Sequence, residues 1–192
     1  MKKTLPFFHL NSLKFLLLLT VVATFNSNLM AQQDSIFWFA APDVDQGHGD
    51  SPVCFRIMTL DQPANVTLTE PASTEFPNAF YKKYIPAYSM ASFRIGHPTS
   101  SSMTDTLAMM ENTPYGTVNK KGLLLHSSTP VSAYYEVAHT NNPMIVTLKG
   151  KTALGKLFYI PSQDAYPNNP SLNGREAFDI VATENNTTVN IT

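Results

Sequence analysis

The chain has few of the residues that define several common classes of protein. It holds a single cysteine, Cys54, so an intramolecular disulfide is excluded and a packed core must supply the stability. Its 13 basic and 14 acidic residues nearly balance, which argues against a nucleic-acid binder. The sequence contains no P-loop, dinucleotide fingerprint or G-x-S-x-G elbow, which argues against nucleotide-dependent enzymes and α/β-hydrolases.

Long hydrophobic runs are also missing. The apolar stretch over residues 15–25 is shorter than the roughly 20 residues needed to span a bilayer. It follows three lysines and precedes the polar stretch "NSNLMAQQ", and this order predicts a secretory signal peptide over residues 1–31, with cleavage after Ala31. We therefore expect a secreted or cell-surface protein that does not insert into a membrane after cleavage.

What the chain does contain is a series of short runs rich in Val, Ile, Thr, Phe and Tyr, separated by turn-forming residues. In one of them Val53, Phe55 and Ile57 alternate with Cys54, Arg56 and Met58, as expected for a strand with two different faces. The pattern predicts an all-β fold, an antiparallel β-sandwich. Eleven strands are predicted, over residues 35–41, 52–60, 65–70, 79–85, 90–95, 122–127, 131–138, 144–150, 156–161, 177–183 and 188–192.

At most one short helix is expected, over residues 101–112. Met103, Leu107 and Met110 recur there at helical spacing. That spacing indicates a face packed on the core rather than a copper site built from thioethers. Cys54 is likewise expected to be a small buried side chain rather than a reactive thiol.

The two ends of the predicted β region carry a repeat. Residues 55–69, "FRIMTLDQPANVTLT", match residues 178–192, "FDIVATENNTTVNIT", and "FWFAAP" (37–42) resembles "FYIPSQ" (158–163). A strand-loop-hairpin unit thus occurs twice. We expect a β-sandwich domain over residues 32–150, with a second copy over 151–192 that either completes the sandwich or begins a truncated next domain.

The order of several segments resembles the N-terminal region of the IgGFc-binding protein family. The matching segments are "FWFAAPDVDQGHGDSPVCFRI", "STPVSAYYEV", "LKGKTALGKLFYIPSQ" and "FDIVATENNTTVNIT", which together span Ser35 to Thr192. The family occurs in large secreted and cell-surface proteins, including bacterial ones with gliding-motility or secretion-sorting tails. The resemblance implies a β-rich extracellular module for adhesion or glycoprotein binding, and it implies no catalytic residues.

Two candidate sites follow from the residues themselves. Asp43, Asp45 and Asp50 lie close together in "DVDQGHGD" and could hold a structural calcium ion, although an EF-hand template fails there. The alternative is a polar turn in which Gly47 and Gly49 supply backbone freedom. No other cofactor is expected.

The second candidate lies on the predicted strand 131–138. Tyr134, Tyr135 and Glu136 place aromatic rings beside a carboxylate, a combination suited to stacking on a sugar and bonding its hydroxyls. On a strand Tyr134 and Glu136 face one way and Tyr135 the other, and in the alternative Tyr135 belongs to the core and Glu136 is a solvated charge.

The sequence therefore predicts a non-enzymatic binding or adhesion module that recognises an extracellular glycan or glycoprotein. One alternative is a structural spacer in a large surface protein. A secreted hydrolase is less favoured, because the carboxylates of Asp105, Glu111, Glu136 and Asp179 cannot be paired from sequence.

Overall fold

The computed structural model describes residues 32–43, 53–74, 79, 81–95, 110–140, 143–161 and 177–192. Within these ranges seven strands form one antiparallel sheet, so the predicted all-β class is confirmed. The strands are β1 (Asp34–Phe39), β2 (Val53–Thr59), β3 (Ala64–Thr69), β4 (Tyr81–Ile85), β5 (Met90–Ile95), β6 (Leu123–Val137) and β7 (Met144–Thr147). A 3-10 turn, Gly150–Ala153, follows β7.

Several sequence predictions fall on residues outside these ranges. The predicted signal peptide, residues 1–31, is among them, and so are Met103 and Leu107 of the predicted helix. Met110, at the end of that segment, is buried in the core, as its position in the methionine pattern predicted. No helix in the described part of the chain is long and apolar enough to cross a membrane.

The 15-residue strand β6 organises the sheet. Its first half pairs with β1 on one edge and β3 on the other, whereas its second half pairs with β7 and β2. β4 then adds to β3, and β5 adds to β2. Each half of β6 is therefore the inner strand of its own four-stranded part of a single sheet.

β6 was predicted as two strands, over residues 122–127 and 131–138, and Pro130 lies between them. The strand is continuous, because the ladder bonds change neighbours at this point: pairing to β3 ends at Ser127 and pairing to β2 begins at Val131. The missing N–H of Pro130 is thus not needed by either neighbour. Side chains bridge the gap, since the Ser128 hydroxyl accepts from the Asn65 N–H and the Thr129 hydroxyl donates to the Pro63 carbonyl.

The sheet bends at this junction, so the inward side chains of its two halves meet. Phe39 of β1 contacts Phe55 and Tyr135 from the other half, with ring centroids 6.3 and 4.7 Å away. Tyr81 of β4 likewise packs on Phe93 of β5 at 4.2 Å. The core therefore lies between the halves of one bent sheet, and a sandwich of two separate sheets is not confirmed.

Asp34 fastens the beginning of β1 to the 3-10 turn. Its carboxylate accepts hydrogen bonds from the backbone N–H groups of Ser35 and Lys151, both at 2.7 Å. Gly150 has a φ of +57°, and a Cβ there would overlap Asp34 and lie 2.6 Å from its Oδ2. Only glycine fits at this position, because both the backbone conformation and the space exclude a side chain.

The chain after this turn has a different character. Residues 154–161 and 177–192 contain no strand, although three strands were predicted in them. Nine of their apolar side chains are exposed: Leu154, Leu157, Phe158, Tyr159, Ile160, Phe178, Ile180, Val189 and Ile191. The strand pattern is present, but no neighbouring strand pairs with it among the described residues. Whether residues 151–192 complete the first domain or begin another stays a prediction.

Candidate functional site

The outward side chains of β5, β2, β7 and the second half of β6 form a continuous surface, which we call the β2 face. Because paired residues point the same way, the strand registers place these side chains in three rows. The rows are Met90–Met58–Ser132, Ser92–Arg56–Tyr134–Thr147 and Arg94–Cys54–Glu136–Ile145. An apolar row, a polar row and a charged row thus lie side by side.

The structure separates the three residues predicted to bind ligand in this strand. Tyr135 points inward and is fully buried against Phe39 and Phe55, so its prediction as a ligand-contacting residue is wrong. Tyr134 and Glu136 alternate with it and lie half-buried on the β2 face. The predicted alternation of the strand is confirmed, and it leaves two of the three side chains where a ligand could reach them.

Arg56 and Glu136 form an ion pair across β2 and β6. The Arg56 Nε bonds the Glu136 carboxylate, while its Nη1 donates to the Ser92 hydroxyl at 3.2 Å. Glu136 raises the pKa of the Arg56 guanidinium through this hydrogen bond. Glu136 is therefore not simply a solvated charge. The ion pair holds two charged groups next to Tyr134, since Arg56 is its partner on β2 and Glu136 lies two residues further along β6.

Cys54 also lies on the β2 face, but beneath its neighbours. The thiol is buried, as predicted, yet it is separate from the hydrophobic core cluster because its strand position points outward. Burial raises its pKa, and Glu136 adds to this effect, while Arg94 and Arg56 oppose it. The group is therefore a neutral thiol at neutral pH, and it contributes no negative charge to the face.

A turn between β4 and β5 borders the apolar end of the β2 face. It carries Tyr88, whose ring is 80% exposed and whose backbone has a φ of +52°. The buried hydroxyl of Thr59 donates to the Pro86 carbonyl and accepts from the Ser89 N–H, and the Tyr88 N–H bonds the Leu60 carbonyl. The turn is thus held from below in a conformation that ordinary residues seldom adopt.

The remaining tyrosines that might have extended an aromatic surface do not join Tyr134. Tyr81 turns inward onto Phe93, and burial raises the pKa of its hydroxyl. Tyr84 is exposed, but it pairs with Asn65 on the other half of the sheet. Among the described residues, the aromatic supply of the β2 face is therefore limited to Tyr134 and, at its margin, Tyr88.

The predicted calcium loop is only partly within the described residues. Asp43 is half-buried and accepts a hydrogen bond from the Tyr115 hydroxyl at 2.8 Å. Asp45 and Asp50 lie outside the described ranges. No group of three or more metal-ligating side chains occurs within those ranges, so a calcium ion on this loop stays a prediction.

Two of the carboxylates considered for hydrolysis, Glu111 and Glu136, lie in different places. Glu111 bridges Ala41, beyond the end of β1 that pairs with Leu123, whereas Glu136 pairs with Cys54 near the opposite end of β6. Asp105 lies outside the described residues. Glu111 and Glu136 therefore do not form the facing pair that glycoside hydrolysis requires.

The sequence did not indicate that the two arginines lie close together, nor the conformation of the turn that carries Tyr88. Arg56 and Arg94 lie on two of the predicted strands, over residues 52–60 and 90–95. Their proximity depends on the pairing of β2 with β5, which the sequence does not give. Tyr88 lies in "PAYS", and none of these residues signals a positive φ.

Comparison with known proteins adds little to this description. No protein-family model and no curated protein matches the chain. The crystal structure of Thermotoga maritima 1070 is 18% identical, with 62% of this chain and 92% of that chain covered and a TM-score of 0.33. This likeness is too weak to support a conclusion about fold or function.

Proposed function

We propose that the protein is a non-enzymatic binding module that recognises an extracellular glycan or glycoprotein through the β2 face. The observation that carries the proposal is the composition of that face. Its exposed or half-exposed side chains include Tyr134, Arg56, Met58 and Met90, and its strands contribute no lysine. Protein recognition surfaces are enriched in tyrosine, arginine and methionine and depleted in lysine.

The turn at Tyr88 supports the same function. A non-glycine residue in the left-handed region costs about 1–2 kcal/mol, and such strain concentrates at binding sites. Here the strained residue is highly exposed and lies two residues before Met90, which pairs with Met58 in the apolar row. A large apolar ring held out in this way does nothing evident for the core, but it suits contact with a sugar or a protein surface.

The secreted or cell-surface location and the relation to the IgGFc-binding protein family belong to this proposal. The signal-peptide pattern over residues 1–31 and the order of the resembling segments support them. An extracellular module would meet glycans and glycoproteins rather than nucleotides or nucleic acid.

Binding of the full chain to a glycan and glycoprotein array tests the proposal. The informative variant is Tyr88→Gly, because glycine relieves the strained backbone while removing the ring. We expect about a tenfold loss of affinity with unchanged or slightly higher thermal stability. Tyr84→Ala, an exposed tyrosine on the other half of the sheet, is the matched control and should leave binding unchanged. Absence of binding by the folded chain to every glycan and glycoprotein would overturn the proposal.

The same array run with calcium and with EDTA tests the predicted metal loop. Binding that is lost on chelation would assign recognition to Asp43, Asp45 and Asp50. Binding that is unchanged by EDTA would support recognition through the β2 face.

A second function, that of a structural spacer, is favoured by one observation. The second copy of the repeated unit exposes apolar side chains in a strand pattern, which need another surface to bury them. A spacer predicts that the folded chain binds no array component and that two copies in tandem are more stable than one. An unchanged melting temperature in the tandem would contradict the spacer function.

A further inference from the structure

We propose that the ligand of the β2 face is an acidic saccharide, and that Arg94 binds its carboxylate. This inference rests on the proposed function and adds the chemical class of the ligand. It follows from the distribution of charge on the face and from which of its two arginines is already engaged.

The strands of the β2 face carry a surplus of one positive charge. Arg56 and Arg94 are the cations, Glu136 is the carboxylate, and the Cys54 thiol is neutral because burial raises its pKa. Lys149, two residues beyond the end of β7, adds an exposed cation at the margin. One surplus charge on the strands and a second at the margin suit a ligand that carries carboxylates, whereas the repeated phosphates of a nucleic acid require a basic stripe.

The two arginines differ in what they bind. Arg56 is held by the Glu136 carboxylate and the Ser92 hydroxyl. Arg94 is exposed, and its partner on β2 is Cys54, whose thiol is a weak hydrogen-bonding group. Within the described residues no carboxylate forms an ion pair with Arg94. Its guanidinium, with a rigid fork of donors, remains available to a ligand carboxylate.

The geometry separates the charged contact from the stacking contact. Arg94 lies on β5 and Tyr134 on β6, with β2 between them. Two strand spacings place them about 10 Å apart across the sheet, too far for one sugar ring to contact both groups closely. An extended oligosaccharide lying across the strands can place its carboxylate on Arg94 and a neighbouring ring on Tyr134. The ligand class is thus a chain of sugars in which at least one sugar carries a carboxylate.

The test uses two polymers with the same backbone, one with carboxylates and one in which they are neutral methyl esters. Polygalacturonate carries a carboxylate on each sugar, and its fully methyl-esterified form has the same backbone without that charge. We expect the full chain to bind polygalacturonate at least tenfold more tightly than the ester, and the preference to weaken with added salt. Arg94→Gln should remove the preference, while Arg94→Lys should keep part of it because the charge remains without the fork.

Lys82→Gln is the matched control, because Lys82 is an exposed cation on β4, on the other half of the sheet. It should leave the preference intact. An equal loss in the Arg94→Gln and Lys82→Gln variants would show diffuse charge attraction and overturn the inference. Tighter binding to dextran sulfate than to polygalacturonate would also overturn it, since the ligand group would then be a sulfate.

The failures of the two proposals are distinguishable. Equal binding to both polymers, with no effect of Arg94→Gln, would leave glycan recognition in place and overturn the carboxylate contact. No binding to either polymer, with glycoproteins still bound on the array, would overturn the acidic saccharide as the ligand. If a chain with a cooperative melting transition bound neither the polymers nor any glycoprotein, both proposals would be overturned.

Discussion

Residues 55–69 and 178–192 carry apolar side chains at matching positions, but these side chains have opposite surroundings. Phe55 and Ile57 are each 1% exposed, whereas their counterparts Phe178 and Ile180 are 48% and 47% exposed. The first copy pairs with β5, β6 and β4 along its length. The second copy is unpaired in the part of the chain that the structure describes. The pattern of a strand therefore sets which side chains can be buried, and the neighbouring strands decide whether they are.

The largest effect should come from truncating the same side chain in each copy. Phe55→Ala removes a buried ring that packs on Phe39 and Tyr135, and we expect it to lower the free energy of unfolding by about 3–5 kcal/mol. Phe178→Ala removes a half-exposed ring and should cost about 1 kcal/mol or less. Chemical denaturation of both variants measures the difference. Equal losses in the free energy of unfolding would show that the second copy is packed as tightly as the first, and would contradict the difference in their surroundings.

The next effect concerns the joint between the paired sheet and the exposed segment. Gly150→Ala places a Cβ against Asp34 in a left-handed backbone and should destabilise the fold by about 3 kcal/mol. Gly116→Ala is the matched control, because Gly116 has a φ of +67° but open space around it. That variant carries only the backbone strain, about 1 kcal/mol.

Comparable melting temperatures for the two glycine variants would contradict the close contact between Gly150 and Asp34. A large difference would show that the 3-10 turn packs closely against the beginning of β1. The exposed segment begins just after that turn.

A smaller effect should follow from the carboxylate at the same joint. Burial alone would raise the pKa of Asp34, but hydrogen bonds from the backbone N–H groups of Lys151, Ser35 and Ile36 and the charge of Lys151 outweigh it, so the pKa is lowered. Its stabilising contribution is therefore fully present above the unfolded pKa of about 3.9 and is lost as pH falls through the lower folded value.

Asp34→Asn should accordingly destabilise the chain by about 1–2 kcal/mol at neutral pH, with a gap to the wild type that shrinks below about pH 4. Urea unfolding of both proteins across pH 2–7 measures this. A gap that stays constant over the whole range would contradict a carboxylate held in its charged form by the turn.

The sequence predicted the sheet better than it predicted the segment after it, for a physical reason. The strands at residues 53–59 and 64–69 were recognisable from alternation and turn residues, and both formed, because β6 lies beside them. The same signals at 178–192 gave no ladder among the described residues, since alternation carries no information about a partner strand. At Pro130 the opposite occurs, since a break was predicted between residues 127 and 131 but the strand is continuous. A proline interrupts a strand only where a neighbouring strand needs the N–H that it lacks.

The candidate site shows the same limit. The sequence placed Tyr134 and Glu136 on one face of a strand and Tyr135 on the other, which the structure bears out. It could not place Arg94 beside Cys54, because their closeness results from the pairing of β2 with β5. The sequence allowed Tyr135 to be either a core residue or a ligand contact. Tyr135 is far along the chain from Phe39 and Phe55, so the aromatic cluster that these three residues form could not be predicted.

The smallest expected effect tests how firmly the second copy is held by the rest of the protein. Asn112 donates a hydrogen bond from its side-chain amide to the Asp179 carboxylate, at an exposed position, and Val181 lies close to Gly122. Exposed polar contacts of this kind contribute little, because water competes for both groups. Asp179→Ala should therefore change the free energy of unfolding by less than about 0.5 kcal/mol.

A loss above about 1.5 kcal/mol, well beyond what surface substitutions usually cost, would mean that residues 178–192 fold with the sheet as one cooperative unit. In that event the Phe178→Ala variant should also be costly, so the two measurements check each other.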